Sequence, residues 1–304
     1  MLLGQVLLPA TVAICLSLAV GAALLAVGKR NRVEEGGDGV AAATATFAAL
    51  HYGAGLVLAL VASLSAGALV GVLRQSPESG AAVGIAVSVG GLLAAVVGLV
   101  GTLVAAAAAG DAPSEARKST RRQLAGGAVT SLLAASFAVG GVAGLFAVFT
   151  RLLDHPAGDA ALEVAGFALG ASIVGFVAQV GAGVFAESAL VAHLLLPRID
   201  RTISPSELEN ASSTTRAAGQ HASASAVSGA SAFETTAAGL VGALVLGVAN
   251  YQVTDNAGWL LLPLLTMAVG TLATVLGLAW PFVVGRRGPA LRQATTTGLW
   301  LVFL

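Results

Sequence analysis

Apolar stretches long enough to cross a bilayer follow one another along the chain, separated by short polar segments. Seven are complete, at 5–27, 47–73, 81–109, 125–149, 161–196, 222–248 and 258–284, and an eighth begins near Ala294. About 20 apolar residues span the ~30 Å hydrocarbon core, and a backbone in lipid must satisfy its own hydrogen bonds, so each stretch is predicted to be a helix. The pattern predicts an all-α, polytopic helical membrane protein: about seven complete transmembrane helices plus the start of an eighth, forming one transmembrane domain over 1–304. The stretch 161–196 meets no proline until Pro197. It exceeds the bilayer thickness, so its helix is expected to tilt or to project beyond the inner face. The one long polar connection, 197–221, is rich in Ser and Thr and is expected to be a cytoplasmic loop. Within it Pro205 and Ser206 read as a turn, and Ser206 with Glu209 as a capping box for a short helix.

Composition supports this picture and adds how the helices meet. Hydrophobic residues make up 57% and charged residues 10% of the 304, against roughly 25% charged in soluble domains. Glycine contributes 39 residues and aromatics only 5%. Small residues let helix backbones approach closely in lipid, so Gly140 with Gly144 and Gly166 with Gly170, each four apart, are expected at helix contacts.

Basic residues then orient the chain. With the N-terminus outside, the inward segments hold Lys29, Arg30, Arg32, Arg117, Lys118, Arg121, Arg122, Arg198, Arg201, Arg216, Arg286, Arg287 and Arg292, while the outward ones hold only Arg74 and Arg151. Such a bias is the positive-inside signature, and it makes the basic loops cytoplasmic. The clusters suit anionic lipid headgroups. With a net charge of zero, nothing marks nucleic acid as a partner; the bilayer is the expected one.

The first stretch lacks a basic leading segment and is followed by Lys29-Arg30-Asn31-Arg32 rather than a cleavage site, so it reads as a retained helix. The single Cys15 excludes a disulfide or zinc framework, and no metal-ligand spacing is present. His51, His193 and His221 read as packing or helix-end residues; Tyr52, Trp259, Trp280 and Trp300 sit near proposed membrane edges, where such rings favour the interface.

One segment carries a more specific pattern. From Gly166 the sequence reads GFALGASIVGFVAQVGAGVF, and around Glu234 it reads SGASAFETT. This frame resembles the membrane-integral, ion-translocating pyrophosphatases, whose matching segment reads GYALGxS…RVGGGxxTKAxDxxxD…DNVGDNxGDxAGxxADLxES. The resemblance extends to Ala116-Arg117-Lys118-Ser119-Thr120, Leu124-Ala125-Gly126-Gly127, Phe137-Ala138-Val139-Gly140-Gly141, Gly288-Pro289-Ala290-Leu291 and Thr297-Gly298-Leu299-Trp300. It covers essentially the whole chain and matches the N-terminal half of the family.

The resemblance implies pyrophosphate hydrolysis coupled to proton or sodium transport, with carboxylates from several helices holding Mg²⁺ and Mg²⁺ holding pyrophosphate. Magnesium is usually bound through carboxylates plus substrate phosphate oxygens. Here those positions are filled otherwise. The family Asp and Arg before the glycine triplet fall on Ala178 and Gln179, the triplet is Gly181-Ala182-Gly183, and the phosphate-contacting Lys falls on Glu187. The following Asp positions fall on Leu190 and Leu194, the later ladder on Arg216, Gln220 and Ala224, and a deeper Asp on Ser231; Glu234 is retained. Like charges ~4 Å apart repel by about 4 kcal/mol at an effective dielectric of 20, so Glu187 opposes phosphate where Lys attracted it. No catalytic or metal residue is expected, and the family's Mg²⁺ is not expected to be retained.

Glu187 and Glu234 are the carboxylates well inside the fifth and sixth stretches, and acids within membrane helices are functional candidates. Ser231, Gln179, Glu187 and Glu234 are therefore the candidate ion-pathway residues. Glu234 matches the family's ion-gate Glu; the alternative is a neutral buried acid bonded to Ser231 or to a facing helix. Glu187 is expected at the inner rim, solvated or paired with Arg198 or Arg216. Three readings remain. One is a divergent half-length homologue of the pumps, not catalytic by itself: a fragment, a relic, or one subunit completed by a separately encoded C-terminal half or by a homo-oligomer. Another is a non-hydrolytic scaffold, partner subunit or passive ion path. The third keeps the family's activity with ligands wholly rearranged, and survives only if a partner half supplies them. A helix ending in TTTGLWLVFL would leave carbonyls in lipid unless another chain covers them.

Overall fold

The computed structural model describes residues 38–109, 116–199 and 205–284. The elements are α1 (Asp38–Leu73), α2 (Pro77–Ala109), α3 (Ala116–Arg151), the short α4 (Ala157–Glu163), α5 (Ala165–Ile199), α6 (Pro205–Thr254) and α7 (Gly258–Val284). No strand occurs among the described residues. Six apolar spans are present: Phe47–Leu73, Pro77–Val104, Gly127–Arg151, Ala157–Leu195, Ser228–Thr254 and Gly258–Trp280. These are the second to seventh expected stretches. The first, and the start of the eighth, lie outside the described residues, as do Cys15 and Trp300.

Two boundaries differ from expectation. The long fifth stretch is not one helix: it breaks at Val164 between α4 and α5. The polar stretch expected as the loop 197–221 is largely helical, because α5 runs to Ile199 and α6 already begins at Pro205. Pro205 has the φ that a first helical position needs, and the Ala, Glu, Arg and Gln that follow favour helix even without an apolar face. Low hydropathy signals leaving the membrane, which is not the same as leaving the helix.

Glycine sets how closely the helices pack. A Cβ on Gly170 would meet the Val87 carbonyl and the Gly91 nitrogen of α2, and one on Gly90 would meet the Phe167 carbonyl of α5. Gly166 faces Val83 in the same way, so the expected Gly166–Gly170 contact is the α2–α5 seam. Gly144 differs, with nothing within 4 Å of a Cβ among the described residues. Between α1 and α2, Ser63 Oγ donates to the Gly84 carbonyl (2.7 Å) and Ser88 Oγ to Ser63 Oγ (2.9 Å). Such interhelical bonds are worth about 0.6–2 kcal/mol in lipid.

The helix α2 packs on α1, α3, α5 and α6, and the most extensive interface is α5 with α6. Phe146, Phe149, Phe167, Phe233, Leu244, Leu260 and Leu264 fill the core, with Phe167 and Phe233 centroids 5.8 Å apart. The apolar window of α1 is only 11% buried against 56% for α3, which sets α1 at the rim. Its exposed Val57, Leu60, Val61 and Leu64 are suited to lipid. The turns that follow α1, α3 and α6 each place a non-glycine residue in the left-handed region: Gln75, Asp154 and Asp255.

Candidate functional site

The seam between α5 and α6 brings together two of the residues expected to matter. Gln179 Nε2 donates to Glu234 Oε2 at 3.0 Å. The local sequence makes this contact possible: a Cβ at Gly175, one turn before Gln179, would collide with the Glu234 carboxylate. Glycine on α5 therefore makes room for the acid on α6. Glu234 is half-buried and Gln179 exposed. Ser231, one turn earlier on α6, is half-buried, and no hydrogen bond joins it to Glu234.

Glu187 lies apart from this pair. The Phe47 and Phe185 rings meet edge-on at 5.5 Å, which sets this part of α5 against α1. Glu187, two residues further along, is exposed beside Gly183, Val184, Ser188 and Val191 in a shallow groove along α5. Neither expected partner reaches it. Arg198 is roughly 16 Å further along the helix at 1.5 Å per residue, and Arg216 on α6 is exposed and likewise unpaired with it.

Past Glu187 α5 runs on to Ile199, and α6 begins at Pro205. These parts of α5 and α6 carry the positions where the related frame has phosphate and magnesium ligands. Leu194, Arg216, Gln220 and Ala224 are exposed and Leu190 is half-buried. The donor set does not fit Mg²⁺: leucine and alanine offer no ligand, arginine repels the ion, and Gln220 gives one neutral oxygen. Among the described residues no group of three His, Cys, Asp or Glu is placed to hold a metal.

The histidines divide. His193 is half-buried with Nδ1 enclosed and unbonded, and the side chain of His221 is outside the described set. His51 is stacked on Phe47 and packs on α5. Sequence reasoning missed the most enclosed acid, Glu163, 1% exposed and 2.6 Å from His155 Nδ1. The available signal was an acid at the start of the fifth stretch with a histidine eight residues before it.

The six apolar spans among the described residues, packed through glycine seams, define a polytopic integral membrane protein. The family model described as "Inorganic H+ pyrophosphatase" matches residues 11–300. The chain belongs to that family. Among curated proteins, it is 33% identical over 142 residues to a K(+)-insensitive pyrophosphate-energized proton pump of Caldanaerobacter subterraneus subsp. tengcongensis, covering 45% of this chain and 20% of the relative. It is 31% identical over 145 residues to the pump of that description in Streptomyces avermitilis, covering 46% and 18%. With the pyrophosphate-energized membrane proton pump 3 of Arabidopsis thaliana it shares 29% over 147 residues, covering 45% and 18%. The matched stretch thus spans about a fifth of these relatives' length.

Proposed function

We propose that this chain is a divergent relative of the pyrophosphate-energised pumps that keeps their helix frame and does not hydrolyse pyrophosphate by itself. One observation carries the reading: on α5 and α6, the positions for ligands of Mg²⁺ and phosphate hold Glu187, Leu190, Leu194, Arg216, Gln220 and Ala224. Replacing one ligand by water is tolerable; here every carboxylate of the set is gone and a negative charge replaces the lysine. The exposed α5 face, apolar but for Gln179, Glu187, Ser188 and Arg198 near its end, favours a further protein segment against it, from a C-terminal half or from a second copy of the chain. The N-terminus lies outside and the basic segments are cytoplasmic in this reading, on the distribution of Lys and Arg.

The test is phosphate release from membranes containing only this chain, supplied with pyrophosphate and Mg²⁺. No release above vector membranes is expected; robust Mg²⁺-dependent release sinks the reading. Co-expression with a C-terminal half that restores release identifies a split enzyme.

A second reading, a passive ion path, rests on the Gln179–Glu234 bond, which places an acid between two membrane helices. Liposomes holding the chain then show a proton leak that Glu234→Gln abolishes. Equal leak in both leaves the scaffold role alone.

A further inference from the structure

At the outer end of the bundle a buried pair stands outside everything above. Glu163 ends α4, and its Oε2 lies 2.6 Å from His155 Nδ1, with side chains 1% and 10% exposed. The other oxygen, Oε1, is enclosed and has no hydrogen-bond partner. The His155 N–H donates to the Phe149 carbonyl (3.0 Å), and its ring lies tilted against Phe149, 6.3 Å between centroids. The segment closed by this bond, 156–163, is the whole of α4 with its preceding proline.

We propose that His155 and Glu163 form a proton-operated latch that holds α4 against the outer end of the bundle. With one titratable proton the pair is neutral overall, whether written as imidazolium with carboxylate or imidazole with carboxylic acid, and a neutral pair tolerates burial. When that proton leaves, the imidazole N–H still donates to Oε2, but a net negative charge remains beside an oxygen with no donor. An unpaired buried charge favours whichever arrangement returns it to water, here release of α4. Histidine is the side chain that ordinarily changes charge near neutral pH.

Among the described residues few other groups titrate at this end. Arg74 and Glu78 come from the α1–α2 turn and the start of α2, Arg151 and Asp154 from the end of α3, Asp159 from α4, and Tyr251 and Asp255 from the end of α6. All are exposed except the half-buried Tyr251, Arg74 is bonded to Asp159, and none bonds to the pair. The first turns of α5 and α7 carry no acid.

The test uses the full chain in liposomes with Cys15→Ser and a reporter, Ala157→Cys. The reaction rate with an impermeant maleimide is divided by the rate of the denatured protein at the same pH. With the pair intact, the corrected rate rises at least tenfold on the alkaline side. Glu163→Gln, which cannot ionise, removes that rise. His155→Gln, which keeps a donor and loses the basic nitrogen, moves the rise to lower pH, and it stands in if Glu163→Gln does not fold. Asp159→Asn, a control for general loosening, raises the rate two- to threefold at every pH. A rate independent of pH with the pair intact, or an unshifted alkaline rise in Glu163→Gln or His155→Gln, overturns the latch.

Discussion

The ring of His51 on α1 occupies the space that a side chain at Gly181 on α5 would need. His51 is fixed there from its own helix: Nδ1 donates to the Phe47 carbonyl at 2.9 Å, and the ring stacks on Phe47 with centroids 4.2 Å apart. A carbonyl only accepts, so Nδ1 carries the proton. Phe47 in turn meets Phe185 one turn past Gly181. A glycine that in sequence reads as part of a phosphate-binding frame is, in this fold, the seat of an aromatic ring.

Gly181→Ala therefore forces the His51 ring aside and is expected to cost about 1–3 kcal/mol, the usual range for overpacking. His51→Ala in the same chain relieves the clash, so the two effects couple by at least ~0.5 kcal/mol. Thermal unfolding of the two single variants and the double variant in detergent measures this. Strictly additive losses are the contrary result.

Gly170 and Gly144 predict opposite outcomes from one substitution. A Cβ on Gly170 meets the backbone of α2, which cannot rotate away, so Gly170→Ala must push α2 and α5 apart. Loss of folded protein or a large drop in Tm is expected, greater than for Gly181→Ala. At Gly144 nothing among the described residues lies within 4 Å, and alanine is favoured over glycine in a helix by up to about 1 kcal/mol. Gly144→Ala is expected to leave Tm unchanged or raise it. A loss there as large as at Gly170 contradicts the seam assignment.

Gly175 gives a test closer to the candidate ion path. Because its Cβ would overlap the Glu234 carboxylate, Gly175→Ala and Gln179→Ala should disturb one group by different routes. Infrared spectra with labelled glutamate, compared with Glu234→Gln, isolate the carboxyl band of Glu234. Both variants are expected to move that band, and no other glutamate band. If only Gln179→Ala moves it, the acid has room to spare and the glycine serves another purpose.

Much of this architecture is legible in the sequence, for a physical reason. Lipid demands long apolar runs, so the end of α1 at Leu73 and both ends of α7, Gly258–Val284, fall where the sequence predicts them. Glycine spacing found the Gly166–Gly170 seam, yet at Gly144 no described residue meets the glycine, because spacing fixes a helix face and not what faces it. Hydropathy reports the solvent around a segment and not its hydrogen bonding, which is why the helical 205–221 read as a loop. The Gln179–Glu234 bond was half legible: both residues were singled out, one by its charge and both by the resemblance, while the room made by Gly175 was not. Glu163 escaped because its significance lies in burial, and burial belongs to the packed bundle.

The surface ion pair that ties α4 to the α1–α2 turn shows how little such a tie contributes. Arg74 Nη1 and Asp159 Oδ1 are 3.1 Å apart, but their side chains are 34% and 50% exposed. Exposed pairs contribute about 0.2–1 kcal/mol, because water screens the attraction and two side chains lose freedom. Asp159→Asn is therefore expected to lower stability by less than ~1 kcal/mol. At 1 M salt, where the Debye length falls to about 3 Å, the difference should nearly vanish. Denaturation of both proteins at low and high salt measures it. A loss that exceeds this range, or survives high salt, means that Asp159 does more for α4 than pair with Arg74.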